Sequence, residues 1–158
     1  MATSPIPEGY ESITPYLCVH DAAGAIEFYK KAFTATELMR MPGPSGRIGH
    51  AELRIGTGNL MLSDEWPEIG VKSPKSLGGS PVGLNIYVED VDMVAKRAVD
   101  AGATLLRAVE NQFYGDRSGT IEDPYGHRWY ISTHVEDVPP DEMERRAAAA
   151  SAEHGAGN

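Results

Sequence analysis

At 158 residues with 41% hydrophobic content, the chain has the length of one domain, or of two small repeated halves sharing a core. Its formal net charge of -9, from 14 Lys and Arg against 23 Asp and Glu without a basic stripe, disfavours nucleic acid and anionic membranes as partners. A single cysteine, Cys18, excludes an internal disulfide and any Cys-x-x-Cys motif; with no apolar run of about 18 residues, a cytoplasmic location is expected.

Residues 1–12, with Pro and Ser, read as a flexible lead-in. "ITPYLCVHD" (13–21) then alternates, with Pro15, Leu17 and Val19 on one face and Thr14, Tyr16, Cys18 and His20 on the other, the pattern of a half-buried strand. Asp21 caps a helix whose stripe is Ala22, Ala25, Ile26, Tyr29, Ala32 and Phe33. "RMPGPSGR" (40–47) reads as a hairpin loop, "IGHAELRIG" (48–56) alternates again, and a "GTGN" turn leads to a short strand, "LMLSD" (60–64). Residues 65–82 have the Pro, Gly and Ser density of a linker.

The order then repeats. "GLNIYVED" (83–90) predicts a strand, Asp90 caps a helix with the stripe Val91, Val94, Ala95 and Ala98, and Gly102 stops it. "TLLRAV" (104–109) is a strand, and "DRSGTIEDPYGHRWYIST" holds a strand, a turn and a strand. Asp90 follows Asp21 by 69 positions, while Arg117 follows Arg47 and Gly126 follows Gly56 by 70. Each half therefore reads β-α-β-β-β. The expected fold class is α+β, with two tandem βαβββ modules (13–64 and 83–134) in one domain (13–138). Pairing the modules into a curved, eight-stranded half-barrel would hide sheet edges and leave a cleft. Residues 139–158 are expected to form a helical turn from Asp141 and then a disordered tail.

The paired modules, "VHDAAGAIEFY" entering the first helix and "DPYGHRW" near the end resemble the vicinal oxygen chelate superfamily (glyoxalase I, bleomycin-resistance proteins, extradiol dioxygenases). "HAELRIG", "LMLSDE", "YGDRSGTIEDPYGHRW" and "THVEDVPPDEM" resemble its PhnB-like, glyoxalase-like branch. The resemblance implies the glyoxalase/bleomycin resistance/dihydroxybiphenyl dioxygenase fold and a homodimer. In metal-dependent members, four ligands come from inward strand positions, usually a His or Gln early and a Glu late in each module. Carried over by position, those sites fall on Thr14, Met61, Gly83 and Tyr130, none an ordinary ligand for a hard or borderline divalent ion. No metal and no other cofactor is therefore expected.

Strand alternation sorts the rest. Thr14, Tyr16, Cys18, His50, Glu52, Arg54, Ser63, Asn85, Tyr87, Arg128, Tyr130 and Ser132 share the cleft side; Leu60, Leu62, Trp129 and Ile131 point to the helices. So many donors and acceptors favour a small polar or aromatic ligand, with His50, Glu52, Asn85, Tyr87, Arg128 and Tyr130 as its contacts. The alternative is an enzyme of the lyase, isomerase or dioxygenase type. It would use either a displaced divalent metal on His50 and Glu52 with Asp64 or Glu122, or metal-free acid–base chemistry. In the latter, Glu52 is the general base beside His50 and Tyr130 or Tyr87 the donor. A plain His50–Glu52 hydrogen bond in the cleft wall is the structural counterpart of both.

"DPYG" reads as a type I turn that Asp123 closes on its own backbone. His127 shares parity with Trp129, and Asp116 and Arg117 are expected to pair with each other or with a neighbouring loop. Cys18, with no base placed beside it, reads as an inert thiol.

Overall fold

The computed structural model describes residues 3–155, with side chains through Ala152. The first module runs β1 (Tyr16–Val19), α1 (Ala22–Phe33), β2 (Thr36–Pro42), β3 (Ile48–Ile55) and β4 (Gly58–Asp64). A connection carrying the short helix α2 (Pro74–Leu77) leads to the second module. That module is β5 (Gly83–Tyr87), α3 (Val91–Asp100), β6 (Thr104–Asn111), β7 (Asp116–Glu122) and β8 (Arg128–His134), and α4 (Pro140–Gly155) follows it.

Each module folds its strands into one mixed sheet, ordered β1-β4-β3-β2 in the first and β5-β8-β7-β6 in the second. The repeat extends to register: Tyr16 pairs with Met61 where β1 runs parallel to β4, and Asn85 pairs with Tyr130 where β5 runs parallel to β8. The α+β fold of two βαβββ modules is as the sequence predicts. The eight strands nevertheless form two four-stranded sheets rather than one continuous, closed surface.

The helices form because their stripes are apolar and their ends are capped. Asp21 accepts from Gly24 N at 3.0 Å, and Asp90 accepts from Met93 N at 2.9 Å, each satisfying an orphan first-turn donor. Gly102, at φ +120°, stops α3 as expected. All six predicted stripe residues of α1 and all four of α3 are buried, and Phe28 joins them.

One core serves both modules. Trp129 of β8 packs against Phe33 of α1, with ring centroids 4.7 Å apart, and Arg97 of α3 donates to the Ala32 carbonyl at 2.9 Å. Buried Asp64 at the end of β4 ties its own module together. It accepts from Ala22 N at 2.8 Å and from Ile48 N at 2.6 Å.

Three segments are more ordered than their composition suggests. The Gly9 carbonyl in the lead-in accepts from Asn59 Nδ2 at 2.8 Å and Arg54 Nη2 at 3.3 Å, and Tyr10 donates to Glu52, so these residues are anchored. In the linker, Glu65 accepts from Ser73 N at 2.8 Å and from the Ser76 hydroxyl, and these donors lower its carboxyl pKa. The C-terminal segment carries a 16-residue helix, longer than the expected helical turn. Arg146 holds it by donating to Glu136 at 2.7 Å and Glu142 at 2.6 Å, pairs that composition does not display. Met1, Ala2 and residues 156–158, parts of the expected flexible ends, lie outside the described residues.

Candidate functional site

Alternation divides each sheet as the sequence predicts. Leu17, Val19, Ala51, Leu53, Leu60, Leu62, Trp129 and Ile131 are buried against the helices. The opposite side of the first sheet carries Tyr16, His50, Glu52 and Met61, and that of the second carries Asn85, Tyr87, Arg128 and Tyr130. The structure thus distributes the six predicted contact residues over two sheet faces.

On the first face, the His50–Glu52 pair is present, with Nε2 2.9 Å from Oε1. It belongs to a longer chain. Tyr16 Oη lies 2.8 Å from His50 Nδ1, and Tyr10 donates to the second Glu52 oxygen. Cross-strand register explains the assembly: Glu52 on β3 and Tyr16 on β1 both pair with Met61 on the strand between them. Tyr10 was not legible in the sequence, because the lead-in has no periodicity to give it a face.

The second face divides into bonded and unbonded groups. Tyr87 Oη donates to Asp116 Oδ2 at 2.8 Å, and this bond, with burial and the carboxylate charge, raises the phenol pKa. His134 bonds Asp116 through Nδ1 at 2.8 Å and Asp137 through Nε2 at 2.9 Å, and the two carboxylates raise its pKa. Asp116 is therefore committed to Tyr87 and His134, while Arg117 pairs with Asp92 at 2.7 Å. Of the two alternatives expected for Asp116 and Arg117, pairing with each other does not occur, because adjacent strand residues point to opposite faces; each instead bonds residues of neighbouring elements. Asn85, Arg128 and Tyr130 have no side-chain hydrogen bond or ion pair among the described residues. His134 has the parity of Arg128 and Tyr130, so alternation alone was enough to find it.

Asn85 and Tyr87 also line a groove of about 1210 Å³ where the modules meet, together with Arg54, Met93, Arg97 and His134. His50, Glu52, Arg128 and Tyr130 lie outside that groove. Other predicted positions are structural. Asp123 accepts from Tyr125 N and His127 N at 2.9 Å, closing its turn, and His127 bonds the Cys18 carbonyl at 3.2 Å. Burial, followed by Glu65 and Asp64, raises the Cys18 thiol pKa and disfavours the thiolate.

The four positions carried over as metal sites are Thr14, Met61, Gly83 and Tyr130. A Cβ at Gly83 would stand 2.3 Å from Cε2 of Tyr130, whose ring lies across that position. Asp64 is bonded to two backbone amides, and Glu122 is on the second sheet, away from the strand bearing His50 and Glu52. Among the described residues, no three His, Cys, Asp or Glu side chains gather in a metal-holding group, and no helix is long and apolar enough to cross a membrane.

Comparison with known proteins agrees with this architecture. The sequence model of the Glyoxalase/Bleomycin resistance protein/Dioxygenase superfamily matches residues 11–131. The uncharacterized protein Mb0911c of Mycobacterium bovis is 48% identical over 136 residues, covering 84% of this chain and 90% of that protein. The crystal structure of TioX from Micromonospora sp. ML1 superposes with a TM-score of 0.61 at 25% identity, covering 79% of this chain and 99% of TioX. A PhnB protein from Bacillus cereus shares the fold, with a TM-score of 0.61 at 18% identity over 78% of this chain and 99% of its own. With two βαβββ modules in matched register and a family match spanning both, the chain belongs to the glyoxalase/bleomycin resistance protein/dioxygenase superfamily.

Proposed function

We propose that the protein binds a small polar or aromatic molecule on its open sheet faces without a divalent ion. The carrying observation is the set Asn85, Arg128 and Tyr130: an amide, a guanidinium and a phenol on neighbouring strands, committed to no partner among the described residues. Such a set offers hydrogen bonds, a positive charge and an aromatic surface to one ligand. The family's metal positions support the metal-free part. Thr14, Met61, Gly83 and Tyr130 form a poor donor set for a divalent ion, and the Tyr130 ring fills the space beside Gly83.

The test is fluorescence titration of tag-free protein with the aromatic anion 1-anilinonaphthalene-8-sulfonate, alongside elemental metal analysis. Saturable binding that weakens in Arg128→Ala and Tyr130→Ala, with the probe recovered unchanged, is the expected result. Stoichiometric Zn, Ni, Mn or Fe in the purified protein would refute the metal-free reading. Equal affinity in both variants would refute the assigned face.

The His50–Glu52 pair supports a second reading, in which the face catalyses proton transfer with Glu52 as general base. Conversion of a bound molecule that is lost in Glu52→Gln with the fold intact would favour it. The working form proposed here is a homodimer, as is common for paired modules of this kind. Exposed Ile13 and Val82 are consistent with a covered surface, and a monomeric mass by light scattering would rule it out.

A further inference from the structure

We propose that Tyr16 carries a base-activated hydroxyl, a reactive site for small electrophiles such as activated acyl and sulfonyl groups, which goes beyond reversible binding on these faces. Hydrogen-bond logic along the first face carries the inference. An ionised carboxylate only accepts, and Glu52 receives the Tyr10 hydroxyl on one oxygen and His50 Nε2 at 2.9 Å on the other. With Nε2 donating to the carboxylate, the neutral form of the imidazole presents a lone pair at Nδ1. Tyr16 Oη stands 2.8 Å from Nδ1 and in that tautomer donates to it. The order hydroxyl, imidazole, carboxylate is the one in which a base activates a nucleophile and a carboxylate steadies the resulting imidazolium.

Access and contrast strengthen the case. Tyr16 is 52% exposed on the edge strand of its sheet, so its remaining oxygen lone pairs are open to a small molecule. Tyr87, 64% exposed, donates instead to the Asp116 carboxylate, whose negative charge disfavours loss of the phenolic proton. Tyr130, 39% exposed, has no hydrogen-bond partner among the described residues. Tyr114 is 40% exposed as well, and of these four accessible phenols Tyr16 alone is bonded to an imidazole among the described residues.

With an aryl sulfonyl fluoride the step balances simply. Tyr16 Oη attacks sulfur, the O–S bond forms, and the S–F bond breaks with its electron pair leaving on fluoride. The phenolic proton passes to His50 Nδ1, and Glu52 holds the imidazolium; no atom changes oxidation state.

The experiment is time-resolved labelling of the full chain with 4-toluenesulfonyl fluoride at neutral pH, each tyrosine read separately by peptide mass spectrometry. Tyr16 is expected to react about a hundredfold or more faster than Tyr87 and Tyr130, the low end of general-base assistance. His50→Gln should bring Tyr16 down to their rate while leaving theirs unchanged, and Glu52→Gln should fall between. Labelling of Tyr16 no faster than that of Tyr87 and Tyr130 in the wild-type protein overturns the proposal, whatever the variants do. So does an unchanged Tyr16 rate in His50→Gln.

Discussion

Tyr29 on α1 and Asp123 in the turn between β7 and β8 are joined by a 2.6 Å hydrogen bond that crosses from one module to the other. Asp123 is only 2% exposed and also accepts from Trp129 Nε1 at 2.9 Å and from two turn amides. The carboxylate thus has four donors, which compensate its desolvation. It holds the "DPYG" turn, the largest core aromatic and the partner module's helix at one point. In return, burial and the carboxylate raise the Tyr29 phenol well above its ordinary pKa.

Asp123→Ala is expected to destabilise the protein by about 3 kcal/mol or more, because four buried donors lose their acceptor at once. Tyr29→Phe removes only one donor and should cost about 1.5–3 kcal/mol. Urea unfolding followed by Trp fluorescence measures both. Equal costs for the two variants would show that the Trp129 and turn-amide bonds add nothing beyond the Tyr29 bond.

His134 makes stability depend on pH. Its two carboxylate partners, Asp137 first and then Asp116, raise its folded pKa. The stabilisation is therefore complete below the unfolded histidine pKa of about 6.5 and is lost as pH rises through the higher folded value. Denaturation midpoints of the wild-type protein should fall over that window, and His134→Gln should flatten the fall. An identical pH profile in the variant would contradict the assignment.

Gly83→Ala tests the position of the Tyr130 ring. The added methyl would lie 2.3 Å from Cε2 of that ring, so the ring must turn away, while the backbone of β5 at this point needs no left-handed conformation. Binding of 1-anilinonaphthalene-8-sulfonate should weaken about as much as in Tyr130→Ala, with little change in stability. Unaltered affinity would place the probe elsewhere.

Asp90→Ala removes the acceptor at the start of α3, where the carboxylate receives Met93 N at 2.9 Å. Loss of an N-cap costs about 1 kcal/mol. Thermal unfolding should show that modest loss with labelling of Tyr16 unchanged, since the cap lies on the second module. A large loss would mean that α3 depends on this cap far more than on its buried stripe.

Parity and helical spacing are local, so burial was legible wherever they applied. The two helical stripes and the strand faces bearing His50, Glu52, Arg128 and Tyr130 emerge as read. The length of the C-terminal helix is not legible in composition, because the ion pairs of Arg146 with Glu136 and Glu142 anchor a weakly apolar segment. Tyr10 escaped for a related reason: its partner Glu52 is 42 residues away, and no repeat places the lead-in against β3.

By itself the sequence determined the two βαβββ modules, since their repeat depends on residue type and spacing alone. Which side chains meet was decided only by the tertiary structure. Hydrogen bonds such as Tyr16 to His50 and Tyr29 to Asp123 join residues 34 and 94 positions apart, and only packing of strands and helices brings such groups within 3 Å.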